Sequence, residues 1–267
     1  MLLKIYYLLK MNRISDYKKL STDIINWMFD YASSSNIKAF VIGVSGGIDS
    51  AVSSTLAAST GLPTYALGMP IHQKEDQETL SDAHLEWLKT NFDNVIANKF
   101  DLTKVFDTFQ STMKEFGSNN LALANSRSRL RMVTLYQVAT SVGGIVVGTG
   151  NKVEDYGVGF YTKYGDGGVD IAPIADLYKT EVWELGKYLG VDQRIIDASP
   201  TDGLWDDGRT DEDQIGTSYE MLEWVMENGL TEDPMFLNEE QIQAINTYKK
   251  FNTQNKHKMI SIPTFKL

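Results

Sequence analysis

The stretch Lys38-Ala39-Phe40-Val41-Ile42-Gly43-Val44-Ser45-Gly46-Gly47-Ile48-Asp49-Ser50, running on into Ala51-Val52-Ser53-Ser54-Thr55-Leu56-Ala57-Ala58, decides the fold. Ala39 to Val44 is a short apolar run rich in β-branched residues, which reads as a buried strand. Ser50 to Ser59 is alanine-rich with apolar residues at helical spacing, and Gly61-Leu62-Pro63 stops it. Between them lies Ser45-Gly46-Gly47-Ile48-Asp49-Ser50. A strand, a glycine turn and a helix N-terminus make an anion site, because the curled backbone turns its N–H groups inward and the helix dipole adds partial positive charge. The Ser45 and Ser50 hydroxyls add donors. The loop has no lysine and lacks the Walker spacing. It carries Asp49 instead. A carboxylate beside a phosphate is repulsive unless a cation lies between them, so Asp49 points to Mg²⁺ held jointly by protein and phosphate. The plain alternative is a tight turn with a capping serine.

Outward from this stretch, helices alternate with short apolar strands. A helix is expected from Ser15 to Tyr31, a second strand from Pro63 to Pro70, and a polar loop from Ile71 to Glu78 containing the solvated His72. A helix from Leu80 to Leu88, a third strand from Asn94 to Leu102, a helix from Asn125 to Ala139 and a strand from Ile145 to Val147 follow. Further helices are expected over Thr180–Leu189, Asp213–Val225 and Glu239–Phe251. This alternation implies right-handed crossovers and an α/β fold: a doubly wound, Rossmann-like, mostly parallel sheet with helices on both faces. Without repeats or low-complexity linkers, residues 1–267 read as one domain. Residues 1–14 are set apart as a peripheral extension, in which the apolar Met1 to Lys10 is an upstream start or a helix packing on a partner.

The net charge of −10 argues against a nucleic-acid surface, which needs clustered lysine and arginine. There are no cysteines, which excludes disulfides, thiolate metal sites and sulfur-relay chemistry. No apolar run approaches the roughly 20 residues that span a bilayer, and no cleavage site marks a signal peptide. A cytoplasmic protein without a membrane partner is expected.

Candidate site residues gather downstream. Arg127, Arg129 and Arg131 crowd the start of a predicted helix, where they oppose its dipole. They either pair with this acidic chain or grip an anion bidentately. Thr149-Gly150-Asn151 turns at the C-terminal end of a strand, where ligands sit in doubly wound sheets. Glu154 and Asp155 follow and both could meet the metal of Asp49. Phe160 to Asp170 mixes Lys163, Asp166 and Asp170 with glycines and aromatic rings, the pattern of a functional loop. Lys179 stands at a helix start. Thr210 to Asp213 forms a capping box, and Asp206, Asp207, Asp211 and Glu212 read as a solvated capping cluster rather than a metal site. The basic tail Asn255-Lys256-His257-Lys258 is a frayed terminus or a ligand contact.

The strand-SGGxDS-helix arrangement resembles the pyrophosphatase loop of the N-type ATP pyrophosphatases, which split ATP to AMP and pyrophosphate while adenylating a substrate oxygen. Seven further segments, in order, resemble the NAD synthetase family. They are Asn125-x-Arg-x-Arg-x-Arg-Met132, Gly148-Thr-Gly-Asn-Lys-x-Glu154, Thr162-Lys-Tyr-Gly-Asp-Gly-Gly-x-Asp170, Asp176-Leu-Tyr-Lys-Thr180, Ser199-Pro-Thr-x-x-Leu-Trp205, Asp211-Glu-Asp213 and His257-Lys258. The likeness runs from about Tyr17 to Lys258.

The resemblance implies an adenine nucleotide alpha hydrolase-like fold and a ligase that makes NAD from deamido-NAD, ATP and ammonia through an adenylated nicotinate. It implies that Gly43, Val44, Ser45, Gly46, Gly47, Ile48, Asp49 and Ser50 hold the ATP phosphates, with Thr149, Lys179 and Thr201 also on ATP. It implies Mg²⁺ on Asp49 and Glu154, and deamido-NAD on Arg129, Lys163, Asp170, His257 and Lys258. Asp49, Lys179 and Asp170 are read as the catalytic residues; ammonia must come from ammonium near neutral pH, and Asp170 is the acid read as aiding that deprotonation. The segment from Glu154 to Lys163 is one residue longer than in many members, so Asp155 competes for the metal role. Larger members carry a glutaminase domain with a nucleophilic cysteine, for which this sequence has neither length nor cysteine, so free ammonia is expected. Members form homodimers. Rival readings are another adenylating amidotransferase with the same loop and a nucleotide sensor without turnover.

Overall fold

A computed structural model describes residues 14–73, 75–116, 119–201 and 210–266. Helix α1 (Tyr17–Ser34) starts where the Asp16 side chain accepts the Lys19 N–H. Then come β1 (Phe40–Gly43), α2 (Ile48–Ser59), β2 (Thr64–Gly68), α3 (Glu75–Asn91), β3 (Val95–Lys99), α4 (Thr103–Thr112), α5 (Asn120–Val142) and β4 (Ile145–Val146). The strands lie in the order β3-β2-β1-β4, and every pairing is parallel. The chain begins at β1, steps outward to β2 and β3, and returns to the other side of β1 for β4. The order therefore reverses between β1 and β4, and the crevice beyond their C-terminal ends is where a doubly wound sheet binds ligands.

Side chains of β1 alternate between two cores, as a strand's period of two requires. Phe40 and Ile42 pack with Met28 and Ala32 of α1 and with Val52 and Leu56 of α2. Val41 faces the opposite layer, with Phe106 of α4 and Ala139 of α5. Each fully buried Ile or Leu in these layers contributes about 1.5–3 kcal/mol. Helix α2 is buried nearly all round, which explains its alanine-rich, weakly amphipathic sequence. It is crossed closely by α6 (Lys179–Leu189) at Gly186, where a Cβ would stand 2.6 Å from Ile48 Cδ1.

Beyond β4 lie a π-helix (Lys152–Val158), α6, α7 (Gln193–Asp197), α8 (Asp211–Ile215), α9 (Tyr219–Trp224) and α10 (Glu239–Met259). Several expected boundaries move. Helix α3 begins at Glu75, inside the stretch read as a polar loop, and α4 was not expected at all. Helix α5 begins at Asn120, capped by the Asn119 side chain, so the three arginines sit about two turns inside it and do not oppose its dipole. The single helix expected over Asp213–Val225 is broken by Gly216 at φ +89° into α8 and α9. Helix α10 runs through the basic tail, placing His257 and Lys258 in its last turn, where cations suit the dipole. No helix among the described residues is long and apolar enough to cross a membrane. Asp206, Asp207 and the Leu204-Trp205 pair fall outside the described residues.

Candidate active site

The loop after β1 folds on its own hydroxyls. Ser50 Oγ accepts the Ser45 N–H at 3.1 Å and donates to Gly47 O at 2.9 Å, while Ser45 Oγ accepts the Gly47 N–H at 3.2 Å. Gly46 turns at φ +89°, where a side chain would be strained. Gly47 caps α2, and Asp49 lies in the first turn. The loop backbone is thus held open toward the crevice.

The loop after β4 supplies the other wall. Asn151 joins the two: its Nδ2 donates to Asp49 Oδ1 at 3.2 Å, while its Oδ1 accepts the N–H groups of Val153 and Glu154, both at 3.1 Å. That caps the π-helix and aims Glu154 at Asp49. A π turn carries one more residue than an α turn. It also separates the two adjacent acids. Glu154 turns to the centre of the site, whereas Asp155 packs over Gly150, where a Cβ would stand 1.9 Å from its carboxylate. Burial pushes the Asp155 carboxyl well up, reinforced by the Glu154, Asp166 and Asp49 charges.

Lys179, the first residue of α6, reaches this point from the far side. Its Nζ donates to Asp49 Oδ2 at 2.5 Å and to Glu154 Oε1 at 2.8 Å. The lysine is 2 % exposed. Burial alone would lower its pKa, yet the two carboxylates hold the ammonium above its ordinary value. Burial raises the Asp49 carboxyl against the pull of Lys179. At Glu154 burial acts in the same direction, but Lys179 and the Tyr219 hydroxyl outweigh it and hold that carboxyl low. Two carboxylates brought together from different elements, Asp49 from the start of α2 and Glu154 from the π-helix, are hard oxygen donors of the kind that a divalent ion takes together with phosphates. The residues fit Mg²⁺.

Asp49, Glu154 and Lys179 line a cleft of about 1040 Å³. Gly43 to Ser50, Thr149, Lys179 and Thr201 all line it, as do Arg129, Lys163, His257 and Lys258. The last four also stitch the glycine-rich loop in place. Arg129 donates from Nε and Nη2 to Lys163 O, both at 3.3 Å. Lys163 Nζ donates to His257 O at 2.6 Å, and Lys258 Nζ to Gly159 O at 2.8 Å and Tyr161 O at 2.7 Å. Ser128 Oγ and the Thr162 N–H both donate to Asp166, which folds the loop tightly on α5. Gly165 leaves no room for a Cβ, which would stand 2.3 Å from Ser128 Oγ.

Two expectations change. Asp170 does not line the cleft. Its carboxylate accepts Tyr136 Oη–H at 3.0 Å and the Val146 N–H at 2.7 Å, closing an open amide of edge strand β4. Arg131, wedged in the cleft wall, donates to Met69 O at 2.9 Å and to Gln73 Oε1 at 3.1 Å. Burial, with Arg127 nearby, lowers its pKa to about 10. Sequence reasoning missed Tyr219, whose hydroxyl lies 2.6 Å from Glu154 Oε1. It also gave no role to Asn151, although an Asn just after a strand-end Gly-Thr-Gly is a capping signal.

This geometry agrees with what the chain is similar to. The family model described as NAD synthase matches residues 20–267. The NH3-dependent NAD+ synthetase of Alkaliphilus metalliredigens is 39% identical over 213 residues, covering 76% of this chain and 84% of that protein. The NMN synthetase of Francisella tularensis superposes with a TM-score of 0.84 at 33% identity, covering 95% of this chain and 100% of that one. The NH3-dependent NAD synthetase of Campylobacter jejuni gives 0.74 at 25% identity, covering 95% and 100%. With the strand order, the serine-glycine loop and the acid-lysine centre all in place over that span, the chain belongs to the NAD synthase family.

Proposed function

We propose that this chain is a C–N ligase that amidates deamido-NAD to NAD with free ammonia and ATP, releasing AMP and pyrophosphate. The observation that carries the reading is the convergence of Asp49, Glu154 and Lys179 at the mouth of the serine-glycine loop. The loop amides and the start of α2 bind the ATP phosphates. Asp49 and Glu154 would hold Mg²⁺, which when bound would offset charge on the phosphoryl oxygens. Lys179 then serves the same charge as it develops. Thr149 and Thr201 contact ATP. Arg129, Lys163, His257 and Lys258 line the part of the cleft that receives the pyridine nucleotide.

The nicotinate carboxylate oxygen attacks the α-phosphorus, and the bond to pyrophosphate breaks. Ammonia then attacks the acyl carbon of the adenylate, AMP leaves, and a proton is lost from nitrogen. Holding carboxylate and α-phosphate in line is the chief contribution of the cleft, and the loop stitched by Lys163 and Lys258 excludes water from the adenylate. Asp170 acts by fixing β4 and Tyr136, not by touching substrate.

The chain works as one synthetase unit within a homodimer. Val105, Phe109 and Met113 follow one another at helical spacing along α4 and its end and are exposed, with Leu121 and Val133 of α5 exposed nearby in sequence. A second copy of the chain buries such a row best.

A second reading, amidation of the mononucleotide acid to NMN, is favoured by the likeness to the Francisella tularensis enzyme. One experiment separates the two. The purified chain is given Mg-ATP with deamido-NAD or nicotinate mononucleotide, and with ammonium or glutamine, and AMP and amide are measured. NAD formed only from deamido-NAD and ammonium supports the proposal, while NMN as the better product supports the second reading. AMP released without regard to either acid sinks both. Asp49→Asn should lower turnover by about 10²–10³-fold or more.

A further inference from the structure

Tyr219 is fully buried, lies 65 residues from Glu154 in sequence, and has no place in the reading above. It opens α9, where the Ser218 side chain caps the helix by accepting the Met221 N–H, so its position is set by the backbone. Its ring packs edge-on against Trp183 of α6, with centroids 6.0 Å apart at 86°. That contact ties it to the helix that carries Lys179. The ring face lies 5.1 Å from Lys179 Nζ, and the hydroxyl donates to Glu154 Oε1 at 2.6 Å and stands 3.4 Å from Asp211 Oδ2. One side chain thus touches both the cation and one of the acids at the centre of the site.

The consequence is directional. Lys179 Nζ and Tyr219 Oη both donate to the same oxygen, Glu154 Oε1. With that oxygen engaged twice, the carboxylate can turn only Oε2 toward a cation in the cleft. A ligand carboxylate fixed in this way by an outer partner binds metal more tightly and in one orientation.

We infer that Tyr219 is a positioning residue that orients Glu154 for the divalent cation, through its hydroxyl alone. The inference rests on the reading of Glu154 as a cation ligand. Tyr219→Phe keeps the ring, the contact with Trp183 and the cation–π contact with Lys179, and removes only the donor.

The test is a titration with Mn²⁺, followed by electron paramagnetic resonance, of the chain loaded with a non-hydrolysable α,β-methylene ATP. It is run on the wild type, Y219F, E154Q and the double variant, each with a thermal melt to establish that it is folded. Y219F is expected to weaken Mn²⁺ binding by about 10–100-fold. The effect should vanish in the E154Q background, because the hydroxyl then has no ligand to orient. Turnover of Y219F should recover as Mg²⁺ is raised, with kcat approaching the wild type. Unchanged Mn²⁺ affinity in Y219F while E154Q is weakened would overturn the inference alone. An equal loss in both backgrounds would show a structural role and also overturn it. An E154Q chain that binds Mn²⁺ normally would overturn the metal reading beneath it. A Y219F chain that failed to melt cooperatively would likewise show a structural role.

Discussion

Replacing Lys179 by methionine removes a cation that Asp49 and Glu154 share in the buried centre. The stem of Met fills the channel, so little packing is lost. What remains is two carboxylates facing each other with their counter-ion gone. Removing one partner of a buried pair costs about 3–5 kcal/mol, because the other charge stays desolvated. Lys179 serves two acids, so the upper part of that range applies. For a chain of this size each kcal/mol moves the midpoint by roughly 2–4 °C, so about 4–5 kcal/mol gives a fall of roughly 8–20 °C. The pH dependence has a definite sign. Without the lysine, both folded-state carboxyl pKa values rise above the unfolded values near 4, so the penalty grows as pH climbs above that point. The gap between variant and wild type should therefore be wide at pH 8 and narrow at pH 5. Differential scanning fluorimetry in EDTA at both pH values measures it. A K179M midpoint within 1–2 °C of the wild type at pH 8, on the order of 0.5 kcal/mol, would refute the argument. A gap that does not change between the two pH values would refute it as well.

Three further outcomes follow from other sites. His84 is buried behind α2, donates to or accepts from Ser54 Oγ at 3.0 Å, and is held neutral by burial with its pKa lowered to about 4. The folded state therefore loses about 3 kcal/mol as pH falls from 6.5 to 4, and His84→Gln should flatten that limb of the stability curve. An unaltered slope in chemical denaturation would contradict this. Lys258→Met removes both bonds from α10 to the carbonyls of Gly159 and Tyr161, so KM for the pyridine nucleotide should rise more than KM for ATP in steady-state assays. Phe109→Glu, at the exposed row of α4 on which the proposed dimer rests, should give a monomer mass by light scattering where the wild type gives a dimer mass.

Much of this architecture is legible in the sequence because its signals are local. The run from Ala39 to Ser59 holds strand, turn and helix within one stretch, and the glycines, serines and Asp49 report their own roles by spacing. The same holds for the capping box at Thr210, where the N–H of Thr210 and the carboxylate of Asp213 meet at 2.9 Å. Boundaries were less legible. Leu121 to Ala124 are strong helix formers, so α5 extends back to the cap at Asn119 although no apolar stripe marks that turn. Gly216 splits a continuous helical pattern because the left-handed turn it adopts shows only in three dimensions. The partnership of Tyr219 with Glu154 was invisible for another reason: nothing local ties residues in elements so far apart along the chain. The family resemblance puts Asp170 on deamido-NAD, where an acid would aid ammonium deprotonation, yet its carboxylate answers an amide at a sheet edge, a need that appears only once β4 is known to lie there.

On the proposed reaction, the cleft transfers an adenylyl group to a carboxylate before nitrogen arrives. Deamido-NAD labelled with ¹⁸O at both oxygens of its nicotinate carboxylate reports on that transfer, with the released AMP weighed by mass spectrometry. One ¹⁸O in the AMP for each NAD formed is the predicted result, since the carboxylate oxygen that attacks phosphorus leaves with it. Unlabelled AMP, or ADP in its place, would show that no adenylate of the nicotinate forms.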